Sequence, residues 1–166
     1  MMQAYMTAIA SARSYAYLQS PYFIPPEPMM RVLQNAALSG VDVRVMIPYR
    51  GDKGVLPPWA SRSYVKEALN AGIRIYLYRK GYMHAKTMTI DDSLVTIGST
   101  NIDFRGFGQD FEINAFVYDE RLAVRHREIF LDDQKDAELI ESDKWEKRPL
   151  IDKAKESVAR IFSPVL

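Results

Sequence analysis

The chain has 166 residues, 48% of them hydrophobic, which suffices for one well-packed domain over 1–166 and is too little for two of ordinary size. Its 22 basic and 21 acidic residues leave a formal charge of +1, excluding a strong global field that would draw in nucleic acid. The absence of cysteine excludes disulfides and thiolate metal sites, and two histidines leave little for a metal cluster.

In chain order, residues 3–18 carry Tyr5, Met6, Ile9, Ala12 and Ala16 at helical spacing, and 20–24 reads as a strand stopped by Pro25 and Pro26. Pro28 suits the first turn of a helix whose Met29, Val32, Leu33, Ala36 and Ala37 form one stripe, with Gly40 as its C-cap. Val41, Val43, Val45 and Ile47 alternate as a strand. Residues 49–58, with two glycines and two prolines, read as a long surface loop, equally a passive connector or a source of substrate contacts. A helix over 61–71 and a strand over 73–78 follow. Strand and helix thus alternate twice, the signature of an α/β sheet covered by helices.

The stretch 81–117 holds the chemistry. Residues 82–90 read as a strand, so His84, Lys86, Met88 and Ile90 share one face. A second strand over 94–97 returns after Asp91, Asp92 and Ser93, and the polar loop 98–101 follows it. In 111–117 Phe111, Ile113, Ala115 and Val117 alternate with Glu112, Asn114 and Phe116. A neutral imidazole at His84 can attack phosphorus and form a phosphohistidine, splitting one hard displacement into two easier ones. Glu112 is suited to hold the other ring nitrogen and fix the tautomer. Lys86 and Asn101 can donate to non-bridging phosphate oxygens. The scheme requires no metal and no cofactor. Taken singly, a strand histidine is more often structural and a lysine more often solvated; it is their ordered combination that points to a phosphate.

Beyond this stretch Asp119 is a candidate N-cap for a helix through about residue 132, and His126 within it reads as structural or surface. Residues 133–147 read as a charged linker or frayed helix. Pro149 opens an amphipathic helix with Ile151, Ala154, Val158 and Ile161 on one stripe. That helix is expected to dock on the sheet, the other reading being contact with anionic lipid. No run approaches the roughly 20 apolar residues that span a bilayer, and no signal peptide is evident.

His84, Lys86 and Asp91, followed by Gly98, Ser99 and Asn101 and then Glu112, resemble the HKD motif of the phospholipase D superfamily. The resemblance implies an α/β fold, a mixed β-sheet flanked by helices on both faces. It also implies a catalytic set of His84, Lys86, Asp91, Asn101 and Glu112, with Lys86, Ser99 and Asn101 binding phosphate and Asp91 mainly structural. Residues 20–52 and 68–92, continuing through 98–119, are similar to the C-terminal half of the bacterial cardiolipin synthases. By that resemblance the parent transfers a phosphatidyl group from one phosphatidylglycerol to another, releasing glycerol, at the bacterial cytoplasmic membrane.

The superfamily's site uses two such motifs, the second histidine serving as general acid, and this chain has one. It is therefore expected to be a soluble fragment lacking the N-terminal membrane segments, completed by the parent's other half or by a second copy about a two-fold axis. The alternatives are a homodimeric phosphodiesterase or nuclease of the same superfamily, and an inactive half-domain. The near-neutral charge argues against nucleic acid as partner.

Overall fold

Residues 15–19 form the middle strand of the sheet (β1, Tyr15–Gln19), buried at every position. A strand buried on both faces shows no alternation, and Tyr-Ala-Tyr-Leu fits a helical stripe as well as a strand. This is why the expected helix over 3–18 is divided: α1 (Met2–Ser11) stops before β1. The strand expected over 20–24 is absent, an isolated bridge from Phe23 to Ile102 standing in its place. The computed structural model describes residues 1–51, 54 and 56–165.

Downstream, α2 (Glu27–Leu38), β2 (Asp42–Pro48) and β3 (Arg74–Tyr78) lie as expected, with Gly40 at φ 93° and Gly72 at φ 86° ending the helices before the two strands. The loop expected over 49–58 falls partly outside the described residues, and its last part is helical. Helix α3 (Leu56–Asn70) takes Pro57 and Pro58 into its first turn, where no intrahelical N–H is needed. The motif supplies β4 (Thr87–Ile90), β5 (Leu94–Gly98) and β6 (Asn114–Val117), with α4 (Phe104–Gly108) between the last two. Then come α5 (Glu120–Asp133), β7 (Ala137–Leu139), α6 (Ser142–Glu146) and α7 (Leu150–Ile161).

The seven strands run in the order β6-β5-β4-β1-β2-β3-β7, with β1, β2 and β3 mutually parallel and every other pair antiparallel. Alternation sorts the side chains of β1 between two layers. Ala16 and Leu18 join Val43, Val45, Ile75, Met88 and Ile90 beneath α1, α2 and α3. Tyr15 and Tyr17 face the other way with Met46, Tyr76 and Phe130 of α5. The α/β architecture with helices on both faces is therefore as the sequence implied.

Residues 133–147 are not a linker. Strand β7 pairs antiparallel with β3, and Ile140 and Trp145 are buried, so a charged stretch was enlisted as a sheet edge through a few apolar anchors. Nor does α7 dock on the sheet: it lies on α3, its apolar stripe outward. Among the described residues, no helix is long and apolar enough to cross a membrane.

Candidate functional site

The register of the sheet gathers the motif at one end. Gln19 at the end of β1 stands opposite Thr87 at the start of β4, Thr87 stands opposite Ile97, and Gly98 opposite Asn114. The carboxyl ends of the parallel strands, the entry to β4 and the exit of β5 therefore share one edge, where open α/β sheets place ligands.

His84 and Lys86 are not in the strand. β4 begins at Thr87, so the expectation that both ride one strand face is replaced by an extended approach, with Met88 and Ile90 buried and His84 exposed. The His84 ring stacks on Tyr82 at 5.4 Å and 29°, a neighbour that sequence reasoning missed. Lys86 Nζ donates to the His84 carbonyl at 3.1 Å, which keeps the ammonium beside the loop that carries the imidazole. Lys86 is in turn tied to the next strand, since Gly98 N donates to its carbonyl at 3.2 Å.

Across β5 the loop meets Glu112. Ser99 N donates to Ile113 O and Ile113 N donates to Ser99 Oγ, both at 3.0 Å, while Ser99 Oγ donates to the Glu112 carboxylate. Ser99, expected to bind phosphate, here has its hydroxyl on the Glu112 carboxylate. No hydrogen bond joins Glu112 to His84 among the described residues. Asn101 follows Thr100, whose hydroxyl donates to Asn114 Oδ1 at 2.6 Å. The Asn101 Oδ1 is buried without a hydrogen-bond partner. Burial pushes the Asp103 carboxyl above its ordinary value, and hydrogen bonds from Gly106 N and Asn101 act against that rise. Asp103 also caps α4 by accepting from Gly106 N at 2.6 Å; the Asp-x-x-Gly run was the available signal.

Asp91 stands apart. It follows Ile90 at the other end of β4, whose four residues span roughly 13 Å. Its carboxylate accepts the backbone N–H groups of Arg13, Ser14 and Tyr15 at 2.6, 2.9 and 2.7 Å. Asp91, expected in the catalytic set with a mainly structural part, thus ties the far end of β4 to the start of β1. His126 is buried against β4, its Nδ1 2.7 Å from Thr89 Oγ1, and desolvation holds its pKa below the ordinary value. Among the described residues no group of three or more histidine, aspartate or glutamate side chains is placed to hold a metal ion.

The arrangement therefore offers an accessible imidazole, a neighbouring ammonium, an amide loop with an unsatisfied oxygen and a serine-held carboxylate on one sheet edge. The chain as a whole is similar to known proteins. A family model described as "Cardiolipin synthase, PLD-like domain" matches residues 5–134. A cardiolipin synthase of Clostridium perfringens (strain SM101) is 41% identical over 162 residues, 98% of this chain and 34% of that protein. Cardiolipin synthase 1 of Staphylococcus epidermidis (strain ATCC 12228) is 43% identical over 162 residues, 98% of this chain and 33% of the relative. The chain thus spans about a third of the length of the curated relatives it matches. Among solved structures, the phospholipase D family member Nuc from Salmonella typhimurium superimposes with a TM-score of 0.72 at 26% identity, covering 84% of this chain and 90% of Nuc. Phosphatidylserine synthase from Haemophilus influenzae gives 0.78 at 14% identity, covering 99% of this chain and 44% of the other, a likeness of fold.

Proposed function

The chain belongs to the phospholipase D-like domain family of the cardiolipin synthases, and from that premise we propose that it is one catalytic half of a phosphatidyl transferase. The observation that carries this reading is the assembly of His84, Lys86, Ser99, Asn101 and Glu112 at the carboxyl end of the parallel strands.

In the proposed reaction His84 attacks the phosphorus of a phosphatidylglycerol. A P–N bond forms, the P–O bond to the headgroup glycerol breaks, and the departing oxygen takes a proton from a general acid. A hydroxyl of a second phosphatidylglycerol then attacks the phosphohistidine and gives its proton to the same group; the new P–O bond forms as the P–N bond breaks, freeing His84 and releasing cardiolipin. Lys86 and Asn101 face the non-bridging oxygens, where charge builds in the transition state. Glu112, held by Ser99, orients the imidazole once substrate brings the loop together, because such hydrogen bonds tighten in the reacting complex.

The general acid comes from a second motif. Strand β6 is the edge of the sheet among the described residues, and Phe111 and Ile113 beside Glu112 are exposed, so the half-site borders a surface suited to a second half. That half is the remainder of a longer parent chain or another copy. A second reading, a homodimeric phosphodiesterase, is favoured by one observation: this chain overlies 90% of Nuc, a comparably short member of the superfamily.

Light scattering combined with phosphatidylglycerol turnover on one sample tests the proposal. A dimer that forms cardiolipin is a complete transferase, whereas a dimer that cleaves bis(p-nitrophenyl) phosphate and leaves the lipid untouched is the phosphodiesterase. The covalent adduct must vanish in His84→Ala; an adduct that persists there would overturn the mechanism.

A further inference from the structure

Helix α7 is amphipathic by sequence and reversed in space. At 100° per residue, Leu150, Ile151, Ala154, Val158, Ile161 and Phe162 fall within an arc of about 120°, the stripe a globular helix normally buries. Here Leu150 is 80% exposed, Ile151 63%, Val158 56% and Ile161 74%, while Glu156 and Ala159 face α3. Polar ties impose this orientation. Glu156 accepts from both terminal guanidinium nitrogens of Arg148 at 2.6 and 2.9 Å, and Arg160 reaches Glu67 at 2.9 Å with its guanidinium 4.1 Å from the Tyr64 ring centre.

Charge is sorted in the same sense. The acids of α7, Asp152 and Glu156, lie on the docked side, Lys155 borders the stripe on one edge and Lys153 stands beyond the other, and Arg160 is held against α3 by Glu67. Between α3 and α7 runs a groove of about 400 Å³ that adjoins Ile161. Arg62, Lys66, Arg148, Lys153 and Arg160 line it against two glutamates. An apolar stripe flanked by bases matches the boundary between anionic headgroups and acyl chains. A stripe awaiting another protein surface has no need of cations on both sides.

We propose that α7 and the basic groove beside it seat this chain on an anionic phospholipid bilayer, stripe inward to the acyl boundary. The proposal rests on the phosphatidyl-transfer reading in one respect: it makes the docking surface the bilayer that holds the substrate. The seat adjoins the candidate site, since Gln109, just after α4, donates to Pro164 O at 3.1 Å just beyond α7, and α4 opens three residues after Asn101.

The test is co-sedimentation of the whole chain with vesicles of phosphatidylglycerol and phosphatidylcholine, against phosphatidylcholine alone. Wild type should partition at least tenfold more strongly onto the anionic vesicles. Ile151→Glu combined with Val158→Glu should lose at least tenfold of that binding, and Leu38→Glu, an exposed position on α2, should lose none. Equal sedimentation with both vesicle types, no sedimentation of wild type, or undiminished binding by the double variant overturns the proposal. So does a fall in solution mass in the double variant, which would make the stripe a contact between copies. Trapping of the His84 adduct with monomeric short-chain phosphatidylglycerol separates the two readings. An adduct with stripe-independent sedimentation rejects the seat alone, whereas stripe-dependent sedimentation upholds the seat whether or not an adduct forms, because the general acid belongs to a second motif.

Discussion

Asp91 and Tyr15, 76 residues apart, are joined where β4 meets the start of β1: the carboxylate Oδ1 accepts the Tyr15 N–H at 2.7 Å. Arg13 and Ser14 donate to the same carboxylate, and Asp91 itself sits at φ 48°. Asp91→Ala removes all three bonds and leaves an alanine in the left-handed region, a destabilisation of about 3 kcal/mol. Asp91→Asn, which tolerates that backbone and keeps one acceptor, should cost about 1 kcal/mol. Urea unfolding measures both. Adduct formation per folded molecule should equal wild type in Asp91→Asn, because His84 lies at the other end of β4; a stable variant without adduct would show that Asp91 takes part in the chemistry.

Much of this was legible in the sequence, and the failures share a cause. Alternating Val43, Val45 and Ile47 and the Gly40 and Gly72 stops declared their elements because one face of each differs from the other. β1 was hidden because it is buried on both faces. The motif named its residues in order, and tertiary pairing decided what they touch: Ser99 binds Glu112, and Tyr82 stacks on His84. The outward turn of α7 could not be read from periodicity, since the ties that set it, to Arg148 on one side and Glu67 on the other, are side-chain pairs outside the stripe.

Gly98 is required by close approach rather than by dihedral freedom. A Cβ there would stand 2.3 Å from both Ile113 O and Asn114 Cγ, and the backbone oxygen cannot yield without parting β5 from β6. Gly98→Ala should therefore cost about 3 kcal/mol and release Glu112 from Ser99. Thermal unfolding checks the first part. The second is checked by amide exchange at Ile113, whose N–H bonds Ser99 Oγ and should lose protection before the remainder of the sheet does.

Glu156 is expected to hold α7 in place. Its carboxylate is nearly buried, paired in a fork to Arg148, and the guanidinium lies 3.2 Å from the Trp145 ring centre. Glu156→Ala strands a half-buried cation and should destabilise by about 3 kcal/mol, whereas Arg148→Met with Glu156→Leu should cost far less. A double-mutant cycle from urea midpoints gives the coupling. Additive costs would show that the pair does not fix the helix.

His126 should make the fold sensitive to mild acid. Thr89 Oγ1 faces its Nδ1, and Asp133, which accepts from Gln19, is the charged group acting on it; burial outweighs that carboxylate and lowers the folded pKa below the ordinary 6.5. The unfolded chain therefore takes up the proton first as pH falls. Stability should be full above pH 6.5 and decline as pH drops through that value, levelling off only below the folded pKa. Thermal unfolding at pH 7.5 and 5.5 should show a loss in wild type that is much smaller in His126→Gln, which keeps a polar side chain beside Thr89 and cannot titrate. An equal loss in both would assign the acid sensitivity to other groups.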